Sequence, residues 1–202
     1  MYSSEENNEQ LYKESIEKEM ENAMNGFNTS IMLYGVTGSG KTHTVFGNLG
    51  YRDIQNASSN ENGIIYYCFE YLSKLQGIEC RMSYIEIYNE QVKDLLGTDD
   101  NLAVNETSRG EVVIQGVIQE EISSFEQMIA LVRSGNQRRK MAKTNANAFS
   151  SRSHAILQLY VKSKQGRTVL SSKISFIDLA GSERVDLTQN KGSLMSTRHP
   201  AR

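Results

Sequence analysis

Apolar positions recur along this chain with two periods, one near four residues and one near two. In residues 8–25, Tyr12, Ile16, Met20 and Met24 return every four residues among acidic and amide side chains, and Gly26 follows. That spacing predicts an amphipathic helix with a glycine stop. Residues 30–34 (SIMLY) form a short apolar run and predict a buried strand, which opens into a glycine-rich turn at 35–40, with a helix starting near Lys41. Residues 47–63 are polar and rich in breakers and predict a surface loop. Residues 64–75 predict a helix, residues 78–88 a strand built on Tyr84, Ile85, Ile87 and Tyr88, and residues 91–96 a short helix. Residues 112–118 predict short strands or a hairpin. In residues 124–133, Ser124 with Gln127 fits a capping box, and Phe125, Met128, Ile129 and Val132 share one helical face. Residues 155–161 and 173–179 supply two last strands. Strands alternating with helices point to an α/β fold, a central sheet flanked by helices. Neither an internal repeat nor a heptad pattern is present.

Composition narrows the class. The 202 residues suffice for one large domain, and the chain is 38% hydrophobic and 23% charged with a net charge of −2. Such a balance argues against a broadly basic nucleic-acid binder. No stretch approaches the roughly 18 apolar residues that cross a bilayer, and the polar, acidic start MYSSEENNEQ lacks the features of a signal peptide. Cys68 and Cys80 are too few for a disulfide framework and lack metal-ligand spacing, so they read as reduced core thiols. The expected location is the cytoplasm, with neither nucleic acid nor membrane as partner.

Three motifs carry chemistry. Gly35-Val36-Thr37-Gly38-Ser39-Gly40-Lys41-Thr42 matches the P-loop pattern. Its glycines let backbone N–H groups approach phosphate oxygens with no Cβ in the way, and the following helix turns its positive end toward the same anion. Lys41 supplies a point charge for the β- and γ-phosphates, and the Thr42 hydroxyl is placed to ligate Mg²⁺. A chance match in a chain of this length runs below roughly one in a hundred at ordinary glycine usage. The second motif, Asp178-Leu179-Ala180-Gly181-Ser182-Glu183, closes the apolar strand KISFID. An aspartate there suits a Walker-B role near Mg²⁺, and Gly181 offers a bare N–H to the γ-phosphate. Taken alone it fits a plain strand-to-loop turn equally well. The third, Asn147-Ala148-Phe149-Ser150-Ser151-Arg152-Ser153-His154, places two serines beside an arginine just before a predicted strand. Alone it reads as a polar loop with a cap. Together, three phosphate-facing elements each abutting a strand form the pattern of a nucleotide switch.

The sequences YGVTGSGKTHT, NANAFSSRSHAI and IDLAGSER resemble the P-loop, switch I and switch II of kinesin motor domains, in that order, and GFNTSIMLYG and SYIEIYNEQVKDLL are similar between them. The resemblance covers residues 9–185. It separates the chain from myosins, which continue switch I with Phe-Gly, and from small GTPases. The wording NANAFSSRSHAILQLYV resembles most the plus-end-depolymerising kinesins. What the resemblance implies is an ATP hydrolase coupled to microtubules, located on the cytoskeleton, with ATP and Mg²⁺ as cofactors. It implies that residues 35–42 hold the phosphates together with Asn147 and Ser150, that Thr42 and Ser151 ligate Mg²⁺, and that Asp178 supports the metal through water. Gly181 then senses the γ-phosphate. Arg152 and Glu183 form the salt bridge joining the switches, Glu183 relays the proton of the attacking water, and His43 lies near adenine.

The chain also departs from the family pattern. No Arg or Pro precedes Arg52, so the Arg-x-Arg-Pro adenine clamp of kinesins is missing, and residues 184–202 do not match the long helix that follows switch II. The expectation is a partial motor domain, truncated at both ends, spanning residues 1–202. Its P-loop strand becomes an apolar sheet edge, discrimination between ATP and GTP is weak, and a partner chain completes the fold. A non-motor protein that binds nucleotide, tubulin or a partner kinesin is the alternative. Arg138, Arg139, Lys140 and Lys143 form a basic run that reads either as a tubulin contact or nucleotide-exchange gate, or as a solvated helix end. Tyr66, Tyr67, Phe69, Tyr71, Tyr84 and Tyr88 read as packing.

Overall fold

A computed structural model describes residues 7–50, 62–141 and 152–183. Its first helical segment comprises α1 (Asn8–Leu11), a π-helical stretch (Tyr12–Ile16) and α2 (Glu17–Met24). In a regular α-helix a four-residue repeat drifts by about 40° per step. The wider π turn absorbs that drift, so Tyr12, Ile16, Met20 and Met24 all reach the core. Strand β1 (Thr29–Leu33) leads through the glycine loop into α3 (Lys41–Phe46), and a 3-10 turn follows at Asn48–Gly50. Helix α4 (Ile64–Ser73) precedes β2 (Ile78–Tyr88).

The expected helix at 91–96 is instead strand β3 (Gln91–Asp94), paired antiparallel with β2. Asn89 and Glu90 adopt positive φ, 49° and 64°, and make the tight reversal that returns the chain along β2. Strands β4 (Val104–Glu106) and β5 (Val112–Ile114) form the hairpin expected in this region. Strand β6 (Glu120–Ile122) adds to β2, and α5 (Phe125–Met141) follows. Ser124 Oγ accepts from the Gln127 amide at 3.2 Å. The Gln127 side chain returns the bond to the Ser123 N–H at 2.8 Å, one residue earlier than a capping box requires. Strands β7 (His154–Gln165) and β8 (Thr168–Asp178) are longer than the apolar runs alone indicate, because they continue as a hairpin closed at Gly166.

The sheet order is β1-β8-β7-β2-β3, with β6 also on β2. Only the β1–β8 pairing is parallel among these. One face carries Ala155, Leu157, Leu159, Ile174 and Phe176, all 0% exposed, beneath the helices. Full burial of the Leu, Ile and Phe side chains among them contributes about 1.5–3 kcal/mol each. A smaller cluster of Ile85, Val92 and Leu102 lies apart from this core. The tyrosines pack as expected: Tyr66 meets Phe125 edge-on at 5.3 Å, and Phe46 lies 5.8 Å from Tyr84. Both cysteines are buried, and burial pushes the Cys80 thiol up to about 12. Among the described residues β1 pairs with β8 alone, and Met32 on it is 59% exposed, so the P-loop strand is a sheet edge. No described helix is long and apolar enough to cross a membrane.

Candidate nucleotide site

The parallel pairing of β1 with β8 places both carboxyl ends side by side, with Leu33 opposite Asp178. Two sequence-distant loops therefore leave the sheet at one point. They run together: the Leu179 N–H donates to the Leu33 carbonyl at 3.4 Å and the Ser182 N–H to the Gly35 carbonyl at 3.1 Å. Gly38 and Gly40 sit at φ 81° and 91°, a backbone region that disfavours side chains with a Cβ. A cleft of about 220 Å³ is lined by Thr37, Gly38, Gly40, Lys41, Thr42, His43 and Leu179. Helix α3 has only six residues, so the cradle depends on loop amides and Lys41 more than on a long helix dipole. The Lys41 ammonium donates to the carbonyls of Gly35 and Val36, at 2.8 and 2.9 Å.

The second motif reaches the same cleft. The Glu183 carboxylate accepts from the Thr37 N–H at 2.8 Å and from the Thr37 hydroxyl. These bonds hold its pKa below the ordinary carboxylate value, the hydroxyl bond first. The loop thus offers its donors to an anionic oxygen. A Cβ added at Gly181 would run into Thr37 Oγ1 and the Glu183 carboxylate, so a larger residue there has to displace the Thr37–Glu183 contact. The Ala180 N–H donates to His154 Nδ1 at 3.1 Å, tying the loop to the start of β7.

Beneath the cleft lies a buried polar network. Thr42 Oγ1 donates to Asp178 Oδ2 at 2.8 Å, and Arg139 Nη1 donates to the same oxygen at 3.1 Å. Arg139 Nε reaches Glu86 Oε1 at 3.2 Å, and Ser153 Oγ donates to that oxygen at 2.6 Å. Glu86, Arg139, Ser153 and Asp178 are between 0% and 3% exposed. Burial alone works against the Arg139 cation, but Tyr84, Asp178 and Glu86 together hold it above its ordinary value. Asp178 Oδ1 is buried and has no partner among the described residues.

This arrangement fits Mg²⁺. The Thr42 hydroxyl spends its proton on Asp178 and keeps its lone pairs for a cation, while Oδ1 is a free acceptor for metal-bound water. Both donors are hard oxygens, and Mg²⁺ is commonly held by few protein groups, phosphates and retained waters. No group of three or more His, Cys, Asp or Glu side chains placed to hold a metal ion by themselves occurs among the described residues.

Several expectations change. Glu183 bonds to Thr37, and the ion pair with Arg152 is not formed among the described residues; Arg152 is exposed. Asn147, Ser150, Ser151 and Lys143 lie outside the described residues. Arg139 is neither a solvated cation nor a surface contact: it is 3% exposed and paired with two carboxylates. The missed signal is its place on the stripe Met128, Val132, Gly135, Asn136, Arg139, which continues the apolar face of α5. Glu86, also missed, follows Met82 and Tyr84 at two-residue spacing on one face of a central strand, a signal of burial but not of its partner. A larger concavity of about 560 Å³ along β2, β7 and β8, lined in part by Arg81, Tyr160 and Lys173, gathers none of the three motifs.

A glycine loop between parallel-paired strand and helix, faced by a strand-end aspartate, defines a P-loop NTPase-type α/β fold. The kinesin motor domain family model matches residues 1–199. The chain is 38% identical over 182 residues to "Kinesin-like protein KIF18A" of Mus musculus, covering 84% of this chain and 19% of that protein. Against "Kinesin-like protein 6" of Schizosaccharomyces pombe it is 33% identical, covering 95% and 26%. A solved structure of a fast kinesin superposes with a TM-score of 0.80 at 32% identity, covering 93% of this chain and 54% of the other. The chain therefore belongs to the kinesin motor domain family. It spans about a fifth to a quarter of the curated relatives it matches and about half of the solved chain.

Proposed function

We propose that this chain binds Mg·ATP in the cleft of residues 35–42 and hydrolyses it, as the nucleotide-handling part of a microtubule motor. The observation that carries this reading is the convergence of Thr42 and Asp178 beside the glycine cradle. One hydroxyl and one open carboxylate oxygen lie together beside the cleft, a donor set that suits a phosphate-bound metal. The resemblance to kinesins supports ATP as the nucleotide, and the similar fast kinesin is one whose structure bears on ATPase mechanism and interactions with microtubules.

Thr42, with Asp178 acting through water, would hold Mg²⁺, which when bound would supply charge neutralisation at the β- and γ-phosphates. The loop N–H groups and Lys41 bind the phosphate oxygens, with Lys41 exchanging its bonds to the Gly35 and Val36 carbonyls for bonds to phosphate. Because this cradle is fixed before reaction, it stabilises the charge spread over the transferred group with little reorganisation. Gly181 presents its N–H to the γ-phosphate. Glu183, held ionised by Thr37, accepts the proton as water attacks phosphorus in line and the bond to the β–γ bridging oxygen breaks. His43 borders the cleft, and the resemblance puts it near the adenine. Residues 147–151 complete the phosphate side by resemblance.

The test is steady-state phosphate release across a microtubule titration, with Lys41→Ala as control. Turnover that depends on Lys41 supports the hydrolase, and a saturable rise with microtubules supports track coupling within these residues. Equal release by the wild type and Lys41→Ala contradicts the assignment.

A further inference from the structure

We infer that His154 is a positioning residue for the terminal phosphate: its imidazole Nδ1 holds the Ala180 N–H and thereby fixes the next peptide, which carries the Gly181 N–H. The inference rests on the nucleotide reading above. Gly181 cannot set its own direction. A glycine has no side chain to pack and tolerates backbone angles that other residues avoid, so its peptide turns unless its neighbours are tied. Here both neighbours are tied through their N–H groups. The Ala180 N–H donates to His154 Nδ1 at 3.1 Å, and the Ser182 N–H donates to the Gly35 carbonyl at 3.1 Å. The donor between them belongs to Gly181, and a Cβ built there meets Thr37, which lines the cleft.

The two anchors differ in kind. Gly35 belongs to the glycine loop itself, and its carbonyl is shared with the Lys41 ammonium, which donates to it at 2.8 Å. That anchor moves whenever the loop rearranges around a phosphate. His154 belongs to the sheet. It opens β7 opposite Ile87 of β2, and it follows Ser153, which is 0% exposed and donates to Glu86 at 2.6 Å. The imidazole is therefore the fixed reference against which the second loop is set. A ring nitrogen that accepts an N–H carries no proton, so the ring proton lies on Nε2. The bond needs an acceptor at one position and no charge. An asparagine amide can place its oxygen near the Nδ1 position, whereas a glutamine amide reaches the Nε2 position instead.

The experiment is calorimetric binding of ADP and of a non-hydrolysable ATP analogue, both with Mg²⁺, to the wild-type chain and to His154→Ala, His154→Asn and His154→Gln. Phosphate release from ATP and thermal melting are measured in parallel. The quantity read is the ratio of the two affinities, which reports the terminal phosphate and which a general loss of stability leaves unmoved. His154→Ala is expected to shift that ratio about tenfold against the ATP analogue, the scale of one lost hydrogen bond, and to slow phosphate release by a similar factor. His154→Asn is expected to restore both to within about threefold of wild type, and His154→Gln to behave like His154→Ala. A wild-type ratio in all three variants, whatever their melting temperatures, shows a structural role only and overturns the inference. A rescue by asparagine no better than that by glutamine overturns it as well. If His154→Ala does not fold, the asparagine and glutamine variants decide. Failure of the wild type to bind either nucleotide overturns the nucleotide reading itself, and this inference with it.

Discussion

The rim of the cleft and its floor are built from opposite materials. At the rim, residues 35–40 run through left-handed glycines at the end of an edge strand, and Glu183 grips Thr37 from an exposed position. At the floor, Glu86, Arg139, Ser153 and Asp178 are sealed between α5 and the central strands, with almost every polar atom assigned. The rim exchanges its present partners for phosphate, so its bonds must be replaceable. The floor must present one oxygen in one direction, so its bonds must not yield. Stability and chemistry are therefore expected to separate under mutation: floor changes unfold the protein or alter its metal response, while rim changes alter nucleotide binding alone.

Arg139→Met is the strongest way to break that separation. It leaves two buried carboxylates without their cation, and should cost about 3–5 kcal/mol in urea unfolding. A loss below 1 kcal/mol, on the order of a surface change, would show that water enters the floor and that the contrast is overdrawn. Gly135→Ala pushes a Cβ into the Tyr84 ring and should cost about 1–3 kcal/mol, again on stability. Gly181→Ala sharpens the opposite side. Its Cβ meets Thr37 and Glu183, so ATP binding should fall at least about tenfold, or 1.4 kcal/mol, with the melting temperature held.

The smallest effect belongs to Glu183. Its folded-state pKa is lowered, so the tie to Thr37 is complete above the ordinary carboxylate value and fades as pH falls through the lowered one. Carboxyl resonances followed by NMR should titrate Glu183 below an ordinary exposed glutamate, and Thr37→Ala, which removes the hydroxyl bond but keeps the N–H bond, should move it part of the way back toward the ordinary range. No movement in Thr37→Ala would remove the contact from the rim.

The rim was legible in the sequence because its chemistry is local: a loop of contiguous residues, with glycines where the backbone needs positive φ and a lysine and threonine at fixed spacing. The floor was legible only in part. Asp178 announces itself at the end of an apolar strand, but Arg139 and Glu86 are 53 positions apart and meet only after β2, α5 and β8 have packed. Arg139 also sits within a basic run, where its neighbour Arg138 is exposed, so charge pattern hid what the helical stripe reveals. Strand β3 was misread as a helix because Gln91–Leu96 carries no strong strand formers except Val92; pairing to β2 overrides that local preference. The long β7–β8 hairpin exceeded its expected bounds for a similar reason, since polar residues such as Lys162, Ser163, Ser171 and Ser172 are carried into the sheet by register.

The most direct measurement is calorimetric titration of Mg·ATP into the wild type and Lys41→Ala, with urea unfolding of both. Among the described residues the Lys41 ammonium hydrogen-bonds to carbonyls of its own loop, so its removal should change stability by no more than about 0.5 kcal/mol. Binding should nevertheless weaken at least about 100-fold, or 2.7 kcal/mol, as the phosphates lose their fixed cation. Unchanged ATP affinity in Lys41→Ala, with both proteins equally folded, would contradict the assignment of residues 35–42 as the phosphate cradle.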